Sequence, residues 1–268
     1  MPTTPAKNLL YRAALPILAP RSRGQMTHHM SGHPLTSLPN YERILAKHHV
    51  FGASLLLQDG ANCALCDTST ANPEHLAQEN TLYRVASITK MATALVTLRC
   101  INNGLFSLDS EAASLLPDGE KDPALSGVTV RHLLCHTSGL RDLPILDDCL
   151  KEGKPYTELL RQPEIRACAP GQQLIYSNFG FGLLGCILEQ QTGLCIEPLF
   201  QEMLFRPLHM RATLDASMLN EAEIMPITRV LPYRAGQELR VTALGRHPLQ
   251  KPNPLCHYGH TAGAMYTD

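Results

Sequence analysis

The chain has 268 residues, a formal net charge of −1, 44% apolar and 18% charged residues. That length can bury a substantial core in one large domain or two modest ones, and the balance is globular rather than disordered. Near-neutrality excludes a nucleic-acid or polyphosphate binder working by bulk charge.

Other classes fall away on composition. With no Trp, eight Tyr and six Phe, there is no stacking platform for bases or sugars. No apolar run approaches the roughly 18 residues that a membrane span requires. The expected partner is a small-molecule or peptide substrate, and the oligomeric state is not read from these features. Nine cysteines, an odd number without framework spacing, fit a reducing compartment. The first 20 residues carry Lys7, Arg12 and an apolar stretch broken by Pro16, which makes a poor signal peptide. A cytoplasmic location is therefore expected, with the periplasm or exterior as the alternative.

Residues 1–38, rich in Pro, Thr, Ser, Arg and His, read as a loosely ordered extension before a domain over 39–268. Tyr41–His49 reads as a short helix. Val50–Gln58 is an apolar run that ends at Asp59-Gly60, a hairpin signal, so Ala61–Asp67 should be the returning strand. Ser87–Asn102 is the strongest helix pattern, with apolar side chains almost all the way round, as in a helix buried within a domain. Asn103-Gly104 ends it. Further helices are expected over Val130–Cys135, Phe179–Gln191 and Ile196–Leu204, the last stopped at Arg206-Pro207. Beyond Thr213 the signal weakens. Strands first and helices after argue for an α+β fold with a helical insertion.

Two short motifs carry chemistry. In Ser87-Ile-Thr-Lys90 the serine and lysine lie on one helical face, within reach of each other. A serine at a helix start has a backbone N–H aimed at any oxyanion formed beside it. A lysine in so apolar a helix loses hydration, which eases access to the neutral amine that takes the serine proton. Alone, the pattern reads as a Ser N-cap with a snorkelling lysine. Tyr176-Ser-Asn178 supplies the context: a tyrosine can relay a proton beside an ammonium, and an asparagine can bond both lysine and substrate. Cys63-x-x-Cys66 could join Cys256, His257 and His260 in a zinc site. A structural zinc centre ordinarily shows two well-spaced ligand pairs, so these are read as buried thiols, with no metal or cofactor.

The segment Thr81-Leu-Tyr-Arg-Val-Ala-Ser-Ile-Thr-Lys-Met-Ala-Thr-Ala94 resembles the active-site region of the serine β-lactamase-related hydrolases. That group includes class C β-lactamases, D-alanyl-D-alanine carboxypeptidases and esterase relatives. The resemblance continues, in family order, through Gly104-Leu-Phe-Ser-Leu-Asp109, Val130–Leu140, Tyr176–Gly185 and Arg206–Met210. It implies a β-lactamase/transpeptidase-like fold, an antiparallel sheet flanked by helices plus a mainly helical subdomain. It also implies Ser87 as nucleophile, Lys90 as its base partner, and Tyr176 with Asn178 as the second motif. His136-Thr-Ser-Gly139 would be a structural loop near the cleft.

The family's third motif is K-T-G or H-x-G. No K-T-G occurs, and His257-Tyr-Gly259 matches H-x-G with only nine residues after it. His257 is therefore carried as a substrate-binding candidate. The favoured expectation is a chain that stops before the third motif and the last strands, leaving sheet edges exposed. One oxyanion donor would then be missing, a loss typically of about 10²–10³ in rate. The reading is a serine hydrolase working through an acyl-enzyme on a β-lactam, an ester or a D-amino-acid peptide. Its competitors are a catalytically weak binding module that keeps the scaffold and a fragment with no function of its own.

Overall fold

A computed structural model describes residues 27–32, 44, 52–59, 62–69, 80–117, 119, 122–225, 227–228, 238–239 and 253–268. They fall into two compact units, one of residues 1–83 with 220–244 and Asp268, the other of residues 84–219 with 245–267. The expected helix over Tyr41–His49 lies outside the described residues except for Ile44, which is helical.

In the first unit, strands β1 (Thr27–Gly32), β2 (Gly52–Asp59) and β3 (Asn62–Ser69) make an antiparallel sheet in the order β1–β3–β2. The hairpin expected at Asp59-Gly60 is present, with Asp59 opposite Asn62. Strand β1 differs from the loose extension expected there. It pairs along the other edge of β3, Thr27 opposite Ser69 and Gly32 opposite Ala64. A strand edge offers a row of unpaired N–H and C=O groups that any extended segment can satisfy. Apolar alternation, the signal sought in the sequence, is not needed for that pairing. In the same unit Leu82 is bracketed by Glu223 and Met225 through backbone hydrogen bonds of 2.8 and 2.9 Å.

The second unit is mainly helical. Its helices include α1 (Thr89–Asn102), α2 (Val130–Leu134), α3 (Leu146–Glu152), α4 (Asn178–Thr192), α5 (Ile196–Phe200) and α6 (His260–Gly263). A two-residue ladder joins β4 (Ala212–Thr213) to β5 (Tyr266–Thr267). Helices α1, α2, α4 and α5 thus fall where the periodicity puts them, with one difference. Helix α5 is α only to Phe200 and continues as a π-helical turn over Gln201–Phe205.

The core centres on α4, where every residue from Phe179 to Glu189 is buried. Three features of its sequence explain this. Ser177 caps the helix, its Oγ accepting the Gly180 N–H at 2.9 Å. Gly193 ends it in the left-handed conformation, φ +68°. Between them, Gly182 and Gly185 let other backbone approach: a Cβ on Gly182 would lie 1.6 Å from the Tyr258 carbonyl oxygen.

Helix α1 is less enclosed than its pattern suggests. Thr89, Lys90, Ala92, Thr93, Val96, Thr97 and Cys100 are buried, whereas Met91, Leu95 and Leu98 are exposed. The buried face is the one with small and hydroxyl side chains, which let α6 come close. Thr93 Oγ1 donates to the Thr261 carbonyl at 2.7 Å, a contact that a larger apolar residue would prevent. Apolar content alone did not decide which face goes inside.

Candidate active site

Ser87 stands on a single 3₁₀ turn, Ala86–Ile88, that runs directly into α1. Ala86 has φ +45°, a left-handed conformation that a non-glycine residue adopts at a cost of about 1–2 kcal/mol. Thr89 holds this turn: its Oγ1 donates to the Ala86 carbonyl at 2.6 Å and accepts the Met265 N–H at 3.1 Å. The Val85 N–H donates to the Met265 carbonyl at 3.0 Å, so both sides of the turn are tied to the segment before β5. Ser87 is left exposed and makes no side-chain cap.

The serine hydroxyl meets the two groups expected of it. Tyr176 Oη donates to Ser87 Oγ at 2.6 Å, and Lys90 Nζ lies 3.3 Å from the same oxygen. Lys90 does not snorkel; its residue is only 7% exposed. Its ammonium also donates to Asn178 Oδ1 at 2.8 Å and to the Ala262 carbonyl at 2.7 Å. It stands 4.7 Å from the centroid of the Tyr176 ring and 5.7 Å from that of Phe181, within cation–π range. Burial alone would push the Tyr176 phenol up. Hydrogen bonds with Lys90 and Ser87, and the ammonium charge, outweigh that and hold it below its ordinary value.

Two further residues build the floor of the site. His136, at φ +57°, stacks on Tyr176 and Phe181 with ring centroids 4.5 and 4.9 Å away. Its Nδ1 accepts the Ser177 N–H at 3.2 Å, which places the proton of the neutral ring on Nε2. Burial, and then the Lys90 ammonium, hold its pKa below the ordinary value against the opposing charge of Asp142. Asp142 binds the start of α4 and the Asn178 side chain. Sequence reasoning missed Asp142, whose role shows only when the two loops meet. It equally missed the Ala262 carbonyl, a backbone group that no side-chain motif can announce.

His257 is not brought to this group. It is buried, with Nδ1 3.0 Å from Glu189 Oε1. Glu189 lies three turns of α4 beyond Asn178, roughly 16 Å by helical rise. The Glu189 carboxylate also accepts the N–H groups of Ile196 and Asn253, each at 2.8 Å. His257 is therefore part of an internal clamp between α4, α5 and the segment before α6, and is not brought together with Ser87, Lys90, Tyr176 and Asn178. Glu189, Cys195 and His257 bring their ligand atoms within 4.8 Å of one another. The carboxylate is already engaged by protein donors, and burial pushes the Cys195 thiol up to about 11, which disfavours the thiolate that a metal needs. The side chains of Cys63 and Cys66 lie outside the described residues.

Fold and site define an α+β protein of the β-lactamase/transpeptidase type. A class C beta lactamase structure from Rhodobacter sphaeroides superposes with a TM-score of 0.66 at 20% identity, covering 85% of this chain and 60% of that one. The beta-lactamase family pattern matches residues 40–252, and the chain belongs to that family. Similar curated proteins include monacolin J acid methylbutanoyltransferase of Aspergillus terreus, 32% identical over 157 residues. The D-alanyl-D-alanine-carboxypeptidase/endopeptidase AmpH of Escherichia coli is 30% identical over 146 residues. The alignments cover 49% and 51% of this chain, and 37% of each relative's length.

Proposed function

We propose that this protein is a serine hydrolase of the β-lactamase-related type, forming an acyl-enzyme at Ser87 with a β-lactam, an ester or a D-amino-acid peptide. The observation that carries the reading is the convergence of Tyr176 Oη and Lys90 Nζ on the exposed Ser87 Oγ, at 2.6 and 3.3 Å. In its free-amine form Lys90 takes the Ser87 proton as Oγ bonds to the substrate carbonyl carbon. The Ser87 N–H faces the oxyanion. Once protonated, Lys90 makes the neighbouring Tyr176 a better donor. Tyr176 passes a proton to the departing group and recovers one from Lys90. Water then adds to the acyl carbon and releases Ser87. Asn178, bonded to Lys90, holds a substrate carbonyl or amide in this reading. The methylbutanoyltransferase and carboxypeptidase among the similar proteins support acyl chemistry in general without choosing a substrate.

The test is acylation by a chromogenic cephalosporin, a p-nitrophenyl ester and a D-alanyl-D-alanine peptide, read by intact mass and peptide mapping. An adduct on Ser87 that disappears in Ser87→Ala is the expected result. Turnover or adduct formation that survives Ser87→Ala, or no adduct with any of the three, overturns the proposal and favours a binding module.

A further inference from the structure

The Asp142 carboxylate collects four donors from the segment that opens α4. Its Oδ1 accepts Ser177 Oγ–H at 3.1 Å and the Phe179 N–H at 2.9 Å. Its Oδ2 accepts the Asn178 N–H at 3.1 Å and the Asn178 side-chain Nδ2 at 2.7 Å. The backbone beside Asp142 is pinned in turn, with the Arg141 N–H donating to the Ile165 carbonyl at 3.0 Å and the Ala167 N–H to the Gly139 carbonyl at 2.8 Å.

An ionised carboxylate can only accept, so it must face the NH₂ of Asn178 and never its oxygen. This removes the usual ambiguity in an amide's orientation and turns Asn178 Oδ1 towards Lys90, 2.8 Å away. Lys90 therefore has two neighbours that only accept there, Asn178 Oδ1 and the Ala262 carbonyl at 2.7 Å. They claim two of its N–H bonds. The remaining tetrahedral position, a proton in the ammonium and a lone pair in the free amine, faces Ser87 Oγ at 3.3 Å and the Tyr176 phenol bonded to it.

We propose that Asp142 is a positioning residue for the reaction at Ser87: by fixing the Asn178 amide, it aims the proton-accepting position of Lys90 at the serine. This rests on the reading of Ser87 as an acylated nucleophile. Replacing Asp142 by Asn keeps the shape but puts an NH₂ where one carboxylate oxygen was. If the new carbonyl keeps the Phe179 N–H, its NH₂ opposes that of Asn178. The Asn178 amide then turns over, presents NH₂ to Lys90, and draws the lone pair away from Ser87.

The experiment measures the burst of p-nitrophenol from p-nitrophenyl acetate, with the acetyl adduct at Ser87 quantified by mass, in Asp142→Asn, Asp142→Glu and Thr129→Ala. Thr129 caps α2 away from this group, so its variant gives the effect of lost stability alone. We expect Asp142→Asn to lower the acylation rate constant about 100-fold with little change in KM. Per folded molecule, Asp142→Glu, which still only accepts, should acylate faster than the better-fitting Asn variant. A purely structural role gives the opposite order, because the isosteric amide disturbs packing least. Asp142→Asn within threefold of the parent, an order favouring Asn over Glu, or an equal loss in Thr129→Ala overturns the inference while leaving the nucleophile reading intact. A parent protein with no Ser87 adduct overturns both.

Discussion

Replacing Gly182 by Ala tests the close approach of α4 to the Tyr258 segment. A Cβ there would lie 1.6 Å from the Tyr258 carbonyl oxygen and 2.6 Å from its carbon, and ordinary contact begins near 3.4 Å. One partner must retreat by roughly 1.8 Å, and neither is a flexible side-chain end: one is the helix backbone, the other a peptide group. The same approach recurs one turn on, where a Cβ on Gly185 would meet Thr261 Oγ1 at 2.5 Å. Overpacking of this kind costs about 1–3 kcal/mol even where the surroundings can adjust. The displaced segment also carries the Ala262 carbonyl that accepts from Lys90 at 2.7 Å. Moving it that far breaks a charge-assisted bond of about 1.5–3 kcal/mol. We therefore expect Gly182→Ala to lose at least about 3 kcal/mol in urea unfolding, and to slow Ser87 acylation in the fraction that remains folded. Gly180→Ala is the control on the same helix. Its Cβ would meet Ser177 and Leu133 at 3.5–3.7 Å, ordinary contacts. Removing a helical glycine should leave stability unchanged or raise it by up to about 1 kcal/mol. Equal effects of the two substitutions would refute the close approach of α4 to the Tyr258 segment.

Other expectations follow from buried polar groups. Glu189→Ala strands the His257 ring and two backbone N–H groups and should cost about 3–5 kcal/mol in denaturant unfolding. His257→Gln should lower the unfolding midpoint while leaving Ser87 acylation per folded molecule within threefold; a large loss of rate would return His257 to the active site. Tyr258 is buried with its hydroxyl unpartnered among the described residues, and its ring packs edge-on against Phe179. Tyr258→Phe keeps that packing and should raise stability by about 1 kcal/mol; a clear decrease would mean that the hydroxyl has a partner. His136 binds its proton less readily in the fold than its ordinary value of 6.5. In the window just below pH 6.5 the unfolded chain holds more protons, so stability falls on acidification. His136→Asn, which tolerates the left-handed backbone, should remove that part of the pH dependence of unfolding; an unchanged acid slope would refute the assignment.

How much of this was legible in the sequence depended on what kind of group did the work. Helices α1 and α4 and the β2–β3 hairpin announced themselves through periodicity, a Gly stop and an Asp-Gly turn. All three depend on local backbone chemistry. Strand β1 did not, because its pairing satisfies backbone groups of a distant strand and asks little of its own side chains. The site divided in the same way. Ser87 and Lys90 are neighbours on one helical face, and Tyr176 and Asn178 sit two residues apart, so spacing alone could nominate each pair. Asp142, His136 and the Ala262 carbonyl join them only through tertiary contacts, and one of the three is a peptide oxygen.

His257 illustrates the same distinction. A three-residue string matched a motif, but a histidine's role depends on what its ring nitrogens meet, and here Nδ1 meets a buried carboxylate that is itself fixed by two backbone N–H groups. Strings nominate candidate reacting groups when these lie within one turn of helix. They do not identify the groups that aim them. In this protein, aiming falls to acceptors that cannot donate: the Ala262 carbonyl acts on Lys90 directly and Asp142 through Asn178. Between them they leave Lys90 one free direction. In the proposed reaction that direction, rather than the presence of a lysine three residues after a serine, is what would make Lys90 a base and not the charged neighbour of an N-cap.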